Sequence, residues 1–298
     1  MNERVPGGMR HLHFCYHPSV VGAADMTERL RAVAEARGAK TLVTELPRDG
    51  AESDLGDRLD DADVLVCVGG DGTVLHASGI ASQAGVPVFG VRMGRLGFLA
   101  EATEGEAEAA LATIMDGGGR VERRVMLQAQ VGEAPPQHAL NDVVIGRVHL
   151  GRTVTVGLRV DGVLLAEYRA DAVMAATATG STGYSLSVGG PILHPTSDSL
   201  IVTAVAPHLS YPNALVLPGD ARIELEVARG YEAVLLVDGA HEQPVPSGTF
   251  VRVTRSPREA LFIRLGPERQ FYANLARRLG WLRIDHVVAN DDAEGAAN

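Results

Sequence analysis

The sequence has few cysteines, no excess of basic residues and no long apolar run. Its two cysteines, Cys15 and Cys67, lie in apolar, strand-like segments without a CxxC pair, so we expect buried, reduced thiols. No run approaches the ~18 apolar residues of a membrane span, and no secretory signal opens the chain. These features favour a reducing, cytoplasmic setting and exclude a membrane-spanning helix.

The charge balance argues against two classes of partner. The formal net charge is −10 at pH 7, whereas nucleic acids and anionic membranes bind basic surfaces. We therefore expect no nucleic-acid and no membrane partner. The ten histidines are scattered, without HExxH or a Cys/His cluster, so we predict satisfied or solvated histidines and no metal site built from histidine and cysteine.

Residues 1–120 alternate strand-like and helix-like stretches, which predicts a doubly wound α/β N-terminal domain. Buried strands are expected where apolar residues run continuously, and helices where they recur every three or four positions. The predicted strands are 11–16, 41–46, 64–68 and 86–91. The predicted helices are 24–37, 73–84 and 104–115.

Beyond the glycines at 117–119 the pattern changes to short strands separated by turn residues, which predicts a mostly β C-terminal domain over 121–270. Asp161-Gly162 is a strong hairpin signal. The predicted strands are 153–160, 163–169, 200–205, 222–227, 233–237, 250–254 and 261–264. We expect residues 271–290 to return to the first domain, beginning with a short helix at 270–280, and 291–298 to form a disordered tail.

The segment DVLVCVGGDGTVL, residues 63–75, is the most informative. An apolar strand ends in a glycine-rich GGDGT turn, and a helix is predicted to follow. Glycines allow a phosphate to approach the backbone, and a helix N-terminus offers free N–H groups. Asp71 in such a turn can accept a proton from an attacking hydroxyl, bind Mg²⁺ directly or through water, or simply cap the helix. The Walker A pattern GxxxxGK[ST] is absent.

A second glycine cluster, GVRMGRLGFL at residues 90–99, follows the next predicted strand. Its glycines and its two arginines, Arg92 and Arg95, are typical of a loop that faces an anionic or nucleotide ligand. Phe98 can stack on a base. The alternative is a surface loop with Phe98 in the core.

Together these segments resemble the NAD kinase family. GGDGT, GxxxGRLGFL, Asn141-Asp142 in ALNDVVI, and TATGSTGYSLSVGGPILHP at 177–195 occur in that family's order and approximate spacing. The last segment is the most specific, because lipid kinases of the diacylglycerol kinase type and phosphofructokinases share a turn similar to GGDGT. The resemblance extends over nearly the whole chain.

The resemblance implies an enzyme that uses ATP, or polyphosphate, and a divalent metal such as Mg²⁺ to phosphorylate the adenosine-ribose 2′-hydroxyl of NAD. It implies that Asp71 is the general base and that the active site lies between the domains of a homo-oligomer, a dimer or a tetramer. The other implied binding residues are Gly70, Gly72, Thr73, Phe98, Asn141, Asp142, Arg152, Arg169, Asp171, Thr179, Thr182, Gly183, Tyr184, Ser185, Leu186, Ser187 and Ala206.

Several of these residues also have ordinary structural roles. Asn141 can cap a turn, Tyr184 can be half-buried core, and Arg169 and Asp171 can form a surface ion pair. The three hydroxyl residues of the 182–187 segment can be turn residues. Each of these alternatives stays open at the level of the sequence.

Four positions depart from the family pattern. Ala178 stands where Pro is expected, Gly183 where Ala is expected, Arg92 where Asn is usual, and Ala240 where Gln is expected. The first two make the loop more flexible, and the last removes one possible side-chain contact. A non-catalytic NAD(H) sensor is therefore an alternative function, and a lipid kinase is another. The sequence leaves open the phosphoryl donor, the preference for NAD or NADH, and feedback regulation.

Overall fold

The computed structural model describes residues 3–5, 7–46, 54–94, 97–149, 151–208 and 213–281. The predicted tail at 291–298, the end of the predicted returning segment at 282–290, and Arg95 of the second glycine cluster lie outside the described residues. None of the described helices is both long and apolar enough to cross a membrane.

The strands and helices follow each other in an order that changes from alternating to mostly β. The described α-helices are α1 (Ala23–Ala36), α2 (Asp71–Ala84), α3 (Ala107–Met115), α4 (Tyr184–Ser187) and α5 (Gln270–Leu279). The described strands are β1 (Glu3–Arg4), β2 (His11–Tyr16), β3 (Lys40–Glu45), β4 (Val64–Gly69), β5 (Val88–Arg92), β6 (Ala102–Thr103), β7 (Arg120–Val131), β8 (Gln137–Ala139), β9 (Asp142–Arg147), β10 (Val154–Val160), β11 (Val163–Ala170), β12 (Ala172–Ala176), β13 (Leu200–Val205), β14 (Leu215–Leu217), β15 (Ile223–Val227), β16 (Ala233–Val237), β17 (His241–Val245) and β18 (Phe250–Arg264).

The N-terminal part is a parallel sheet with helices on both faces. Strands β3, β2, β4 and β5 are parallel neighbours in that order. Side chains alternate along β4, so Val64, Val66 and Val68 pack with α1 and α3 while Leu65 and Cys67 pack with α2. The predicted doubly wound α/β domain is confirmed. Cys15 and Cys67 are buried and free, as expected.

The C-terminal part is antiparallel. Among the described residues, six strands form a second sheet in the order β14-β13-β12-β9-β16-β17, and every pair in it is antiparallel. Its inner face packs against the antiparallel half of the large sheet, formed by β7, β10, β11, β15 and β18, in one apolar core. The predicted mostly β C-terminal part is confirmed and has the form of a sandwich.

One long strand connects the two halves. The sequence predicted separate strands at 250–254 and 261–264, but β18 runs continuously across both, with an irregularity between Arg255 and Glu259. Its first part pairs with β15, and Phe262 pairs in parallel register with Val88 of β5. The parallel strands and the antiparallel strands therefore share one twelve-stranded sheet within the described residues.

Candidate active site

The GGDGT segment forms the turn between a fully buried strand and a helix. Strand β4 ends at Gly69, Gly70 is extended at φ −89° and ψ 178°, and α2 begins at Asp71. A Cβ on Gly69 would lie 2.6 Å from Oγ1 of Thr73, so glycine is required there for the helix to pack on the strand. Asp71 thus lies in the first turn of α2, at the carboxyl end of β4, where the helix dipole favours an anion.

The end of the second glycine cluster, residues 97–99, contacts the Asp71 carboxylate. The backbone N–H of Phe98 donates to Oδ2 at 2.7 Å, and that of Leu99 donates to Oδ1 at 3.2 Å. A Cβ on Gly97 would lie 1.9 Å from Oδ1. The loop therefore approaches the carboxylate closely and fixes its orientation, while 31% of the side chain stays exposed.

The C-terminal helix contributes a cation to the same place. Nη1 of Arg278 lies 3.3 Å from Oδ2 of Asp71, and the guanidinium carbon lies 4.3 Å from the Phe98 ring centroid. At the other end of α5, the Phe271 ring lies 6.5 Å from Phe98 and 5.2 Å from His194. Helix α5 therefore contacts both glycine segments and the end of the 177–195 loop.

A buried cluster of charged side chains contacts the end of the second glycine cluster at Leu99. Glu122 accepts hydrogen bonds from Arg124 and Arg264, and Nη1 of Arg264 also donates to the Leu99 carbonyl at 2.9 Å and to Glu101 at 3.2 Å. Burial opposes ionisation of Glu122, but Arg124 and Arg264 outweigh it and lower its pKa to about 2. Arg264 therefore holds the carbonyl of a residue whose N–H contacts Asp71.

We expect Arg264→Met to lower the free energy of unfolding by about 3–5 kcal/mol, because Glu122 and Glu101 would lose a buried partner. Urea denaturation measures this. The matched control is Arg252→Met on the same strand, which removes an exposed pair with Glu224 at 3.7 Å and should cost at most about 1 kcal/mol. Equal effects of the two substitutions would contradict the structural role of the buried cluster.

A cavity of about 360 Å³ is lined by the predicted residues Asn141, Asp142 and Tyr184 and also by Asp238. The backbone N–H groups of Leu140 and Asn141 donate to the Asp238 carboxylate at 2.7 Å each, and that of Asp142 donates at 3.1 Å. Asp238 therefore fixes the backbone here and leaves the Asn141 and Asp142 side chains facing the cavity.

Asp142 is buried, with 6% of its surface exposed. Burial, followed by the nearby charge of Asp238, raises the pKa of its carboxyl to about 7. Near neutral pH this group therefore exists in both protonation states, unlike an exposed aspartate.

The 177–187 loop packs directly on the Asn141 backbone. A Cβ on Gly180 would lie 2.1 Å from the Asn141 carbonyl oxygen, and the Thr177 N–H donates to that same oxygen at 2.9 Å. Oγ1 of Thr179 and Oγ of Ser185 are buried without a hydrogen-bond partner among the described residues. These two hydroxyls are candidates for polar contacts with a ligand.

The other predicted residues of this loop differ in exposure. Thr182 is partly buried and donates to the Thr179 carbonyl at 3.1 Å. Gly183 and Leu186 are also partly buried, Ser187 is exposed, and Tyr184 is 44% exposed beside the cavity.

The four departures have different surroundings. Ala178 is buried, and its carbonyl accepts from Oγ of Ser181 at 2.6 Å. Gly183 has φ −99°, so it is not there for a left-handed backbone. Ala240 is exposed in the turn after Asp238, and Arg92 is partly buried at the end of β5.

Four predicted residues lie elsewhere. Arg152, Arg169 and Asp171 line a separate cavity of about 720 Å³. Ala206, in a left-handed conformation at φ 48°, directly follows Val205, whose carbonyl accepts from the Asp171 N–H. The whole of β12 lies between Asp171 and the start of the 177–187 loop. The two are therefore separated by roughly 20 Å of extended chain.

Arg169 and Asp171 do not pair with each other in the described contacts. Nε of Arg169 donates to Oγ1 of Thr153 at 3.0 Å, and Asp171 forms an ion pair with Arg147 at 3.0 Å. The cavity thus combines cationic and anionic groups.

Sequence reasoning missed several residues near Asp71. Arg278 and Phe271 lie on α5, His194 contacts Phe271 of that helix, and Arg264 lies on β18. Asp238 was visible as part of a turn, but its contact with residues 140–142 was not. The one available signal was the expectation that the C-terminal segment returns to the first domain.

Comparisons with known proteins identify the family of this chain. Residues 18–119 match the ATP-NAD kinase N-terminal domain, and residues 140–265 match the ATP-NAD kinase C-terminal domain. A protein named NAD kinase from Chloroflexus aggregans is 37% identical over 89% of this chain and 96% of its own length. An NAD kinase from Heliobacterium modesticaldum is 39% identical over 76% of this chain and 81% of its own length.

Solved structures share the fold. Yeast NADH kinase complexed with NADH matches with a TM-score of 0.81 at 21% identity, over 93% of this chain and 90% of that chain. An NAD kinase from Archaeoglobus fulgidus in complex with ATP matches with a TM-score of 0.74 at 24% identity, over 88% and 98%. With two family domains and relatives of this identity along its length, the chain belongs to the NAD kinase family of phosphotransferases, as its motifs predicted.

Proposed function

We propose that this protein transfers a phosphoryl group from ATP, or from polyphosphate, to the adenosine-ribose 2′-hydroxyl of NAD. The observation that carries this proposal is the Asp71 carboxylate, oriented by two backbone N–H groups at the carboxyl end of a parallel strand. The relatives named NAD kinase support the substrate, and the solved complexes with NADH and with ATP support both ligands.

In this mechanism the 2′-hydroxyl oxygen attacks the terminal phosphorus of the donor. The new O–P bond forms as the P–O bond to the leaving phosphate group breaks, and the hydroxyl proton passes to Asp71. The N–H groups of Phe98 and Leu99 hold the carboxylate in one orientation, so its exposed side can accept that proton.

Asp71 also fits a divalent metal. Among the described residues, no group of three or more His, Cys, Asp or Glu side chains is placed to hold an ion. Mg²⁺ is commonly bound by one or two carboxylates together with substrate phosphates and water. Asp71 would hold the ion directly or through water, and the ion would neutralise charge on the donor phosphates.

The cavity beside Asn141 suits a ribose. A carboxylate accepts from two hydroxyls, and an amide both donates and accepts, so Asp142 and Asn141 are complementary to a diol. Tyr184 offers a ring to pack on a base and a hydroxyl to bond, and Phe98 offers a second ring on the Asp71 side.

We expect NAD to bind about tenfold more tightly at pH 8 than at pH 6, because the ionised fraction of a carboxyl with a pKa near 7 rises about tenfold over that interval. The sign follows from the diol, which binds the carboxylate better than the acid. Calorimetric titration at both pH values measures the change. Asp142→Asn should remove the pH dependence, and a pH-independent affinity in the unsubstituted protein would contradict this role.

The cavity of Arg152, Arg169 and Asp171 lies too far from Asn141 to contact the same ribose within one chain. We propose that it completes a dinucleotide site across a subunit contact in a homo-oligomer, a dimer or a tetramer. Light scattering coupled to size exclusion tests the assembly, and a monomer at assay concentrations would contradict it. A cytoplasmic location remains a prediction.

The proposed activity is tested by mixing the protein with NAD, ATP and Mg²⁺ and following NADP with an NADP-specific dehydrogenase. The experiment is repeated with polyphosphate if ATP is inactive. NADP formation with either donor supports the proposal. NAD binding without NADP formation from either donor would replace it with the non-catalytic sensor function.

A further inference from the structure

Arg278 is held between two groups on which the proposed reaction depends. Its guanidinium lies 3.3 Å from the Asp71 carboxylate and 4.3 Å from the centre of the Phe98 ring. Asp71 must accept a proton, and Phe98 must receive a base. Substrate binding at either group would therefore bring the substrate into direct contact with Arg278.

The helix that carries Arg278 is anchored at its opposite end. Phe271 packs between Phe98 and His194, and the Tyr272 ring lies 5.7 Å from His194. Leu275 is buried under the middle of the helix. The last turn extends from this anchor toward Asp71, so Arg278 reaches the site while its backbone stays at the surface.

The present pairing of Arg278 is weak enough to be exchanged. Its side chain is 38% exposed and that of Asp71 is 31% exposed, and pairs of such exposure contribute little to stability. Arg124 and Arg264, in contrast, are buried and bonded to Glu122. Of these three arginines, Arg278 can thus change partners at small energetic cost.

We propose that Arg278 is a ligand for the terminal phosphates of the phosphoryl donor, an inference that rests on the proposed function. A triphosphate beside Asp71 brings several negative charges close to a carboxylate, and this repulsion must be offset. A guanidinium binds phosphate oxygens through two parallel hydrogen bonds. It also stabilises the charge on a phosphoryl group in transfer, as arginines supplied in cis do in other phosphotransferases.

The distances agree with this role. A proton acceptor lies about 3 Å from the hydroxyl oxygen it serves, and that oxygen lies about 3–3.5 Å from the phosphorus it attacks. A cation 3.3 Å from the acceptor is therefore within side-chain reach of the phosphoryl oxygens. When Arg278 moves from Asp71 to a phosphate, it also frees the carboxylate oxygen that accepts the hydroxyl proton.

Steady-state kinetics of Arg278→Ala and Arg278→Lys test the inference. We expect Arg278→Ala to lower kcat/KM for the triphosphate by about 10³-fold, with the KM for NAD unchanged, and Arg278→Lys to recover part of the loss. Arg277→Ala is the matched control, because Arg277 is exposed on the same turn and should retain full activity. Circular dichroism melting confirms that each variant folds.

Binding provides a second, activity-independent readout. Trp281 is the single tryptophan of the chain and lies two residues after the last residue of α5, 63% exposed. We expect its fluorescence to change saturably with inorganic tripolyphosphate in the unsubstituted protein and in Arg277→Ala, and affinity to fall at least tenfold in Arg278→Ala.

The outcomes separate this inference from the proposed function. Suppose that Arg278→Ala and the unsubstituted protein form NADP equally fast and bind tripolyphosphate equally well. This result would overturn the role of Arg278 and leave the kinase proposal intact. Tripolyphosphate binding that depends on Arg278 in a protein that forms no NADP would support the phosphate ligand and reject the kinase proposal.

Discussion

We expect Asp71→Asn to lower kcat for NADP formation by about 10²–10⁴-fold, the usual contribution of a general base. The substitution keeps the size of the side chain, and its amide oxygen can still accept from Phe98 or Leu99, but it cannot take the hydroxyl proton. NAD binding, measured by calorimetry, should be largely unchanged, because the proposed ribose contacts lie at Asn141 and Asp142.

The matched control is Asp25→Asn, which removes an exposed carboxylate from the first turn of α1 and should leave turnover unaffected. It accounts for any general effect of losing a first-turn charge. Turnover of Asp71→Asn at the unsubstituted rate would reject Asp71 as the base and leave it as a residue that holds the backbone of Phe98 and Leu99.

Gly97→Ala is expected to lower kcat by about 10²-fold, the cost of displacing a catalytic group by about 1 Å. The new Cβ would lie 1.9 Å from Oδ1 and 2.4 Å from Cγ of Asp71, so the carboxylate or the loop must shift. The steric conflict involves a partly exposed side chain and not the core, so the fold should persist. Kinetics and thermal melting on the same preparation measure both effects.

Gly79→Ala is the control for this substitution. Gly79 lies inside α2, a Cβ there would meet nothing within 4 Å, and alanine favours a helix. Full activity of Gly79→Ala beside a large loss in Gly97→Ala locates the effect at the carboxylate. Full activity of both would show that the contact of the loop with Asp71 is not needed for turnover.

The sequence predicted the turn around Asp71 because its signals are local. A continuous apolar run indicates a strand covered on both faces, and β4 is buried at every residue. Glycines followed by a helical pattern then place Asp71 at the strand end. Similarly, Asp161-Gly162 predicted the hairpin of β10 and β11, which the pairing of Val160 with Val163 confirms.

Other parts of the fold could not be predicted because their reasons are tertiary. Strand β7 begins with a charged stretch that includes Arg120, Glu122 and Arg124, and such a stretch does not predict a buried strand. These side chains are buried or partly buried because they form ion pairs with each other and with Arg264 of β18. Strand β12 is Ala172–Ala176, with three alanines, and alanine gives little strand signal.

The surroundings of Asp71 were predictable only in part. Phe98 was expected either beside a ligand or in the core, and it is partly buried between Phe271 and Arg278. The position of Arg278 depends on how α5 packs, 207 residues along the chain from Asp71. No local pattern specifies a contact of that separation.

The central claim is that this site phosphorylates the 2′-hydroxyl of the adenosine ribose in NAD. Its most direct test is phosphorus NMR of the product formed from NAD, ATP and Mg²⁺, compared with authentic NADP. The account predicts one new phosphomonoester with the shift and proton coupling of the 2′-phosphate. A phosphate at another hydroxyl, or no phosphorylated dinucleotide with either ATP or polyphosphate, would contradict it.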